Sequence, residues 1–177
     1  MMVKDKIKLR AMEPSDLDLM YDWENNQDIK RAGDSLQYYS KQVIEEFIDR
    51  REEDIYQSGQ MRLVIVLESD EKEALGYIDL YDFDAHNRKA AVGILIGKVE
   101  NRRKGYANEA LELLKKFAFD RLLLNQLYCF IEYSNKESID LFVKSGFSKN
   151  AVLQKWIKNA QGYNNVVLMQ CLYSESS

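Results

Sequence analysis

Between Lys89 and Tyr133 the chain carries one order of segments that leaves little choice of architecture. Ala90 to Ile96 reads AAVGILI, an apolar strand, and Asn101 to Ala107, NRRKGYA, is a short basic turn. The run NEALELLKKFAFDRLLL then places Leu111, Leu114, Phe117 and Ala118 on one helical face, and Gln126 to Tyr133, QLYCFIEY, is apolar again. Strand, turn, helix and strand in that order predict a right-handed crossover that lays the two strands parallel.

The basic turn has a physical use. The first turn of a helix leaves backbone N–H groups without partners, and the macrodipole adds partial positive charge, so a phosphate can settle there. Arg102, Arg103 and Lys104 strengthen that attraction, and Gly105 lets the backbone approach an anion with no Cβ in the way. The turn reads as a pyrophosphate cradle, against the plainer alternative of a solvated basic turn.

Composition narrows what such a cradle serves. A chain of 177 residues with 46% hydrophobic content suits one packed domain. Its net charge of −4 argues against nucleic acid as a partner and for a small anionic ligand bound locally. No apolar run is long enough to cross a membrane, and MMVKDKIKLR lacks a signal-peptide core, so a cytoplasmic protein is expected. Cys129 and Cys171 sit in apolar strands and read as free buried thiols. With one histidine, His86, and no Cys/His cluster, no metal site is expected.

The rest of the chain supplies a sheet and its cover. Ile7 to Arg10 predicts a strand, and Pro14 suits the first position of a helix bearing Leu17, Met20, Tyr21 and Trp23, which ends at Glu24-Asn25-Asn26. A polar connection from Gln27 to Tyr39 leads to a second helix, capped by Ser40 and striped by Val43, Ile44, Phe47 and Ile48. Arg62 to Glu68, Ala74 to Tyr81 and Lys89 to Ile96 form an antiparallel meander, with turns at Ser69 to Glu73 and Asp82 to Arg88. After the crossover, Ser134 and Glu137 have capping-box spacing, with Asn135 a competing cap, for a short helix carrying Ile139, Leu141, Phe142 and Val143 and ending before Gly146. Val152 to Lys158 and Asn165 to Tyr173 close the chain as a hairpin across Asn159 to Tyr163. The expected architecture is a single α+β domain over residues 1–177, with a mixed, mostly antiparallel sheet of six to seven strands and about four helices.

Two motifs in this order resemble the GNAT superfamily, the Gcn5-related N-acetyltransferases. Arg102-Arg103-Lys104-Gly105-Tyr106-Ala107 is similar to the family's acetyl-CoA motif R/Q-x-x-G-x-G/A, and Asn135 to Phe147 resembles its second signature of an Asn, a short helix and Gly-Phe. The opening IKLRAMEPSDLDLMYDWENN and the hairpin residues Gly162 to Asn165 resemble the branch of polyamine and ribosomal-protein N-terminal acetyltransferases.

The resemblance implies a GNAT-like fold whose parallel pair opens at the acetyl-CoA site. Amides from Arg103 to Ala107 would hold the pyrophosphate, with Arg102 and Lys104 adding charge. Backbone of Val92, Gly93, Ile94 and Leu95 would pair with the pantetheine arm, Asn135 would reach its amides, and Phe142 would lie near the thioester. Relatives often carry Tyr at the position of Phe142 to protonate the leaving sulfur, and Glu at the position of Ala91 to order the water that deprotonates the amine. Neither residue here can do that. Glu132, Tyr133 and Tyr163 are the substitute candidates, each with a plain reading as a strand-end acid or a packing tyrosine, and His86 reads as a surface-turn residue.

For the acceptor, Glu24, Asp28, Asp34, Glu45 and Asp49 gather in the two N-terminal helices and their connection, with Tyr38 and Tyr39 as cation–π faces. The alternative is a solvated charged surface. The expected function is acetyl transfer from acetyl-CoA to a primary amine of a small cationic acceptor, a polyamine such as spermidine first. The alternatives are protein N-terminal acetylation and a non-catalytic acyl-CoA sensor. The resemblance also implies assembly with further copies, a dimer first.

Overall fold

The computed structural model describes residues 6–26, 38–50, 53–159 and 162–174. Its strands are β1 (Ile7–Ala11), β2 (Met61–Leu67), β3 (Asp70–Asp84), β4 (Lys89–Ile96), β5 (Gln126–Glu132), β6 (Ser148–Asn159) and β7 (Gly162–Leu172). The helices among the described residues are α1 (Leu17–Asn25), α2 (Lys41–Asp49), α3 (Ile55–Ser58), α4 (Tyr106–Asp120) and α5 (Lys136–Lys144). All seven strands join one sheet in the order β1-β2-β3-β4-β5-β7-β6, antiparallel except for the pair β4 and β5.

From β2 to β4 the sheet is covered on both faces, which is why these strands are apolar on alternate and even successive residues. On one face Ile78, Leu80, Ala90 and Val92 pack against Ala110, Leu111, Leu114 and Ala118 of α4. On the other, Val64, Val66, Tyr77 and Leu95 pack against Met20 and Trp23 of α1 and Ile44 and Ile48 of α2. Each large aliphatic buried this way contributes about 1.5–3 kcal/mol.

Several expected boundaries move. The turn expected at Ser69 to Glu73 shrinks to Glu68 and Ser69, because Val66 faces Ala74 while Leu67 faces Asp70, and the bulge between them takes up the charged residues. β3 likewise runs on to Asp84 before turning. β6 and β7 extend to the pair Asn159 and Gly162, so Tyr163 and Asn164 lie in strand rather than in a turn. The cap of α5 is Asn135, whose side chain accepts from Ser138 N, and not a Ser134–Glu137 box. Val43 and Val143, expected on apolar stripes, face solvent, because the stripe of each short helix is narrower than the apolar run in sequence. The four-residue helix α3 was not expected at all.

Candidate active site

β4 and β5 pair only from Lys89 to Ala91 against Gln126 to Tyr128. Beyond that point β4 stays with β3 up to Ile96, and β5 stays with β7 up to Glu132, so the two strands part. A cavity of about 910 Å³ occupies the gap. β4 lines it with Val92 to Ile96, β5 with Cys129 to Glu132, and α5 with Ser138, Leu141 and Phe142. Strand groups no longer spent on a neighbour are free to pair with an extended guest.

One end of the cavity is the basic turn. Arg103 and Gly105 both have left-handed backbone, φ 59° and φ 87°, and Gly105 is the N-cap of α4. The first bond of that helix runs from Glu109 N to Gly105 O, so the amides ahead of it have no acceptor within the helix and point out of its N-terminus. Arg102 donates through Nε to Ile96 O, which ties the turn to the end of β4. Arg103 makes an ion pair with Glu137 at the mouth. Asn101 lines the cavity with its Nδ2 buried and without a partner. Amides, guanidinium groups and an unanswered buried donor together fit a diphosphate and its linker.

At the other end the lining changes sign. Arg62 of β2 makes a two-bond fork with Asp79 of β3, Nε to Oδ1 at 2.7 Å and Nη2 to Oδ2 at 2.9 Å. Its Nη1 reaches Glu24 Oε1 of α1 at 2.5 Å, and Tyr77 Oη donates to the same oxygen at 3.0 Å. The guanidinium lies 3.8 Å from the Tyr77 ring centroid and 5.1 Å from that of Phe47. Burial alone would lower the pKa of Arg62, but the Asp79 carboxylate and its neighbours outweigh it, and the group stays charged. Burial also raises the Tyr77 hydroxyl far above its ordinary value and pushes Tyr81 up to about 12, so both remain proton donors.

The expected residues divide around this cavity. Val92, Gly93, Ile94, Leu95, Arg102, Arg103, Gly105, Tyr106, Ala107, Asn135 and Phe142 line it, as do Glu24, Tyr39 and Glu132. Glu132 accepts from Asn164 Nδ2 at 2.8 Å. Lys104 is exposed beside the cradle and outside the lining. Tyr133 and Tyr163 also stand outside it, 49% and 62% exposed, with Lys136 and Lys158 over their rings. Tyr38, Glu45, Asp49 and His86 are exposed and likewise outside the lining. Asp28 and Asp34 fall outside the described residues. Sequence reasoning passed over Arg62, Tyr77, Asp79 and Tyr81. The signal was there: Tyr77, Asp79 and Tyr81 alternate along one face of a strand that is otherwise apolar.

A splayed parallel pair in a mixed sheet, with a helix N-terminus facing the gap, defines an acyl-CoA-type transferase fold, and the chain belongs to the acetyltransferase (GNAT) domain family, whose model matches residues 6–148. Among curated relatives, spermidine N(1)-acetyltransferase of Escherichia coli strain K12 is 28% identical, over 94% of this chain and 86% of that protein. The spermidine N(1)-acetyltransferase of Vibrio cholerae is 24% identical over 98% of this chain and 96% of that one. A crystal structure of spermidine N-acetyltransferase from Vibrio cholerae, in complex with CoA and spermine, superposes with a TM-score of 0.83 at 24% identity, covering 94% of this chain and 95% of the other.

Proposed function

We propose that this protein transfers the acetyl group of acetyl-CoA to a primary amine of a small polycation, with spermidine the first candidate. The observation that carries the reading is the polarity of the cavity between β4 and β5: a basic helix N-terminus at one end, two carboxylates at the other, and the parting of the two strands between them. The relatives named for spermidine acetylation support the choice of acceptor.

In this reading the amides from Arg103 to Ala107 hold the diphosphate, Arg102 and Arg103 neutralise it, and Lys104 adds to the field from outside. The freed backbone of Val92 to Leu95 aligns the pantetheine arm, with Asn135 beside it and Phe142 packing near the thioester. A backbone N–H on that edge polarises the carbonyl. Glu24 and Tyr39 face the acceptor, and Glu132 stands at the splayed end of β5. Phe142, edge-on to Phe147, has no proton to give, so the departing thiolate takes one from solvent or from a tyrosine of the lining. Both cysteines are buried and neither is in a disulfide, which suits the reducing cytoplasm we assign to the protein. Among the described residues no helix is long and apolar enough to cross a membrane, and no three His, Cys, Asp or Glu side chains come together to hold a metal.

The test is thiol release from acetyl-CoA with spermidine, spermine, diamines, N-terminal peptides and aminoglycosides as acceptors. Turnover with the polyamines is the expected result. Turnover confined to peptides would reassign the acceptor, and CoA binding without turnover on any amine would make the protein a sensor.

A further inference from the structure

Ala91 is fully buried and ends in a methyl group, so β4 offers no carboxylate where it leaves β5. We propose that Asp79, on the neighbouring strand β3, is the carboxylate that receives the reacting amine, across the bare face of Gly93. This rests on the acetyl-transfer reading above and adds to it the group that touches the amine.

Register puts the three residues in one row. Arg62 pairs with Asp79, and Asp79 pairs with Gly93, so all three project to the same face of the sheet. The row stops at Gly93 because β5 pairs with β4 only as far as Ala91, and the cavity begins there. A Cβ placed on Gly93 would lie 3.8 Å from Asp79 Oδ2 and 3.6 Å from Tyr81 Cε1. The Asp79 carboxylate therefore flanks the space over Gly93, next to the backbone proposed to hold the thioester arm.

Charge and rigidity suit the task. One guanidinium faces two carboxylates, Glu24 and Asp79, which leaves the floor of the cavity one positive charge short. An ammonium supplies it. The Arg62 fork fixes both Asp79 oxygens yet leaves each a further lone pair to accept from the amine. The ionisable groups around Asp79 are Arg62 from β2, Glu24 from α1, and Tyr77 and Tyr81 from β3. β4 adds no ionisable group there, Tyr39 lines the same cavity ahead of α2, and β5 brings Cys129 and Glu132 to it.

The step balances without a further reactant. An ammonium docks on Asp79 and passes one proton through water to solvent, the neutral nitrogen forms a C–N bond at the thioester carbonyl, and the C–S bond breaks. Sulfur leaves with the electron pair and takes up a proton from water while the nitrogen, on becoming the amide, gives up its second proton to water, and Asp79 forms and breaks no covalent bond.

The experiment compares Asp79→Asn, Asp79→Glu and Gly93→Ala with the wild type, reading kcat/KM for spermidine across pH and the Kd for CoA. Asp79→Asn is expected to lose about 100-fold in kcat/KM near neutral pH with CoA affinity unchanged. The loss should shrink as pH approaches about 10, where the amine arrives already neutral. Asp79→Glu should recover about tenfold of it. Should Asp79→Asn fail to fold, Gly93→Ala carries the test, since its methyl makes only ordinary contacts with Asp79 and Tyr81 but covers the receiving face; about a tenfold rise in the amine KM is expected. Wild-type kcat/KM in Asp79→Asn, a deficit that does not change with pH, or an unchanged KM in Gly93→Ala overturns the assignment while leaving acetyl transfer intact. A wild-type protein that binds CoA but acetylates no amine overturns both.

Discussion

Single residues hold this site through contacts that tolerate little change. Gly76, buried in β3, would place a Cβ 1.9 Å from Leu95 O. That neighbour is backbone and cannot swing away, so Gly76→Ala is expected to destabilise the protein by about 2–3 kcal/mol, seen as a lower midpoint in urea. Asp16 is a second case. Burial alone would raise its carboxyl, but the Arg10 fork at 2.8 Å and the Glu13 N–H outweigh that and hold it below the ordinary range. Folded Asp16 thus keeps its charge at pH values where the unfolded residue has gained a proton. The stability it contributes is present above the ordinary carboxylate pKa and is lost as pH falls through the folded value. Asp16→Asn should cost about 2 kcal/mol near neutrality, and its deficit relative to wild type should close in acid, measured by denaturant titration at several pH values. Neither residue announced itself in sequence. Asp16 reads as a helix-start acid until its partner Arg10, six positions back, is seen to face it, and Gly76 reads as an ordinary strand glycine until β4 is laid beside it.

At the scale of elements, what could be read was whatever the period of the chain encodes. The meander, the crossover helix and the terminal hairpin follow from apolar patterning, which is local. The bulge between Val66 and Leu67 and the bulge at Leu153 to Ile157 do not, since a register shift depends on the partner strand. The cradle was legible because its basic residues, its glycine and the helix after it are contiguous. At the other end of the cavity only Glu24 and Tyr39 were legible, because Glu24, Arg62, Tyr77 and Asp79 come from three elements that only the folded sheet brings together. Asn135 shows how one residue serves an element and the site at once. Its Oδ1 caps α5 on Ser138 N at 3.1 Å, and the residue also lines the cavity. Asn135→Ala is expected to lower stability by about 1 kcal/mol in a thermal melt and to weaken CoA binding as well. Asn135→Ser, which can still cap, should restore the first and not the second.

For the whole molecule, the arrangement is one sheet opened at one place. α4 covers one face of the sheet in both halves, α1 and α2 cover the other face over β2 to β4, and β3 stays with β4 and β5 with β7 on either side of the gap. In the function we propose, that opening joins the end that takes the anion to the end that takes the cation, and transfer between them follows from proximity. All of it depends on the helix N-terminus at Gly105. The measurement that tests this most directly is CoA binding by titration calorimetry to the wild type and to Gly105→Val, with thermal melts to confirm that both are folded. Gly105 has φ 87°, which valine disfavours. The account predicts one CoA per chain for the wild type and affinity weakened by about tenfold or more in the variant. Equal affinity in the two folded proteins would contradict it.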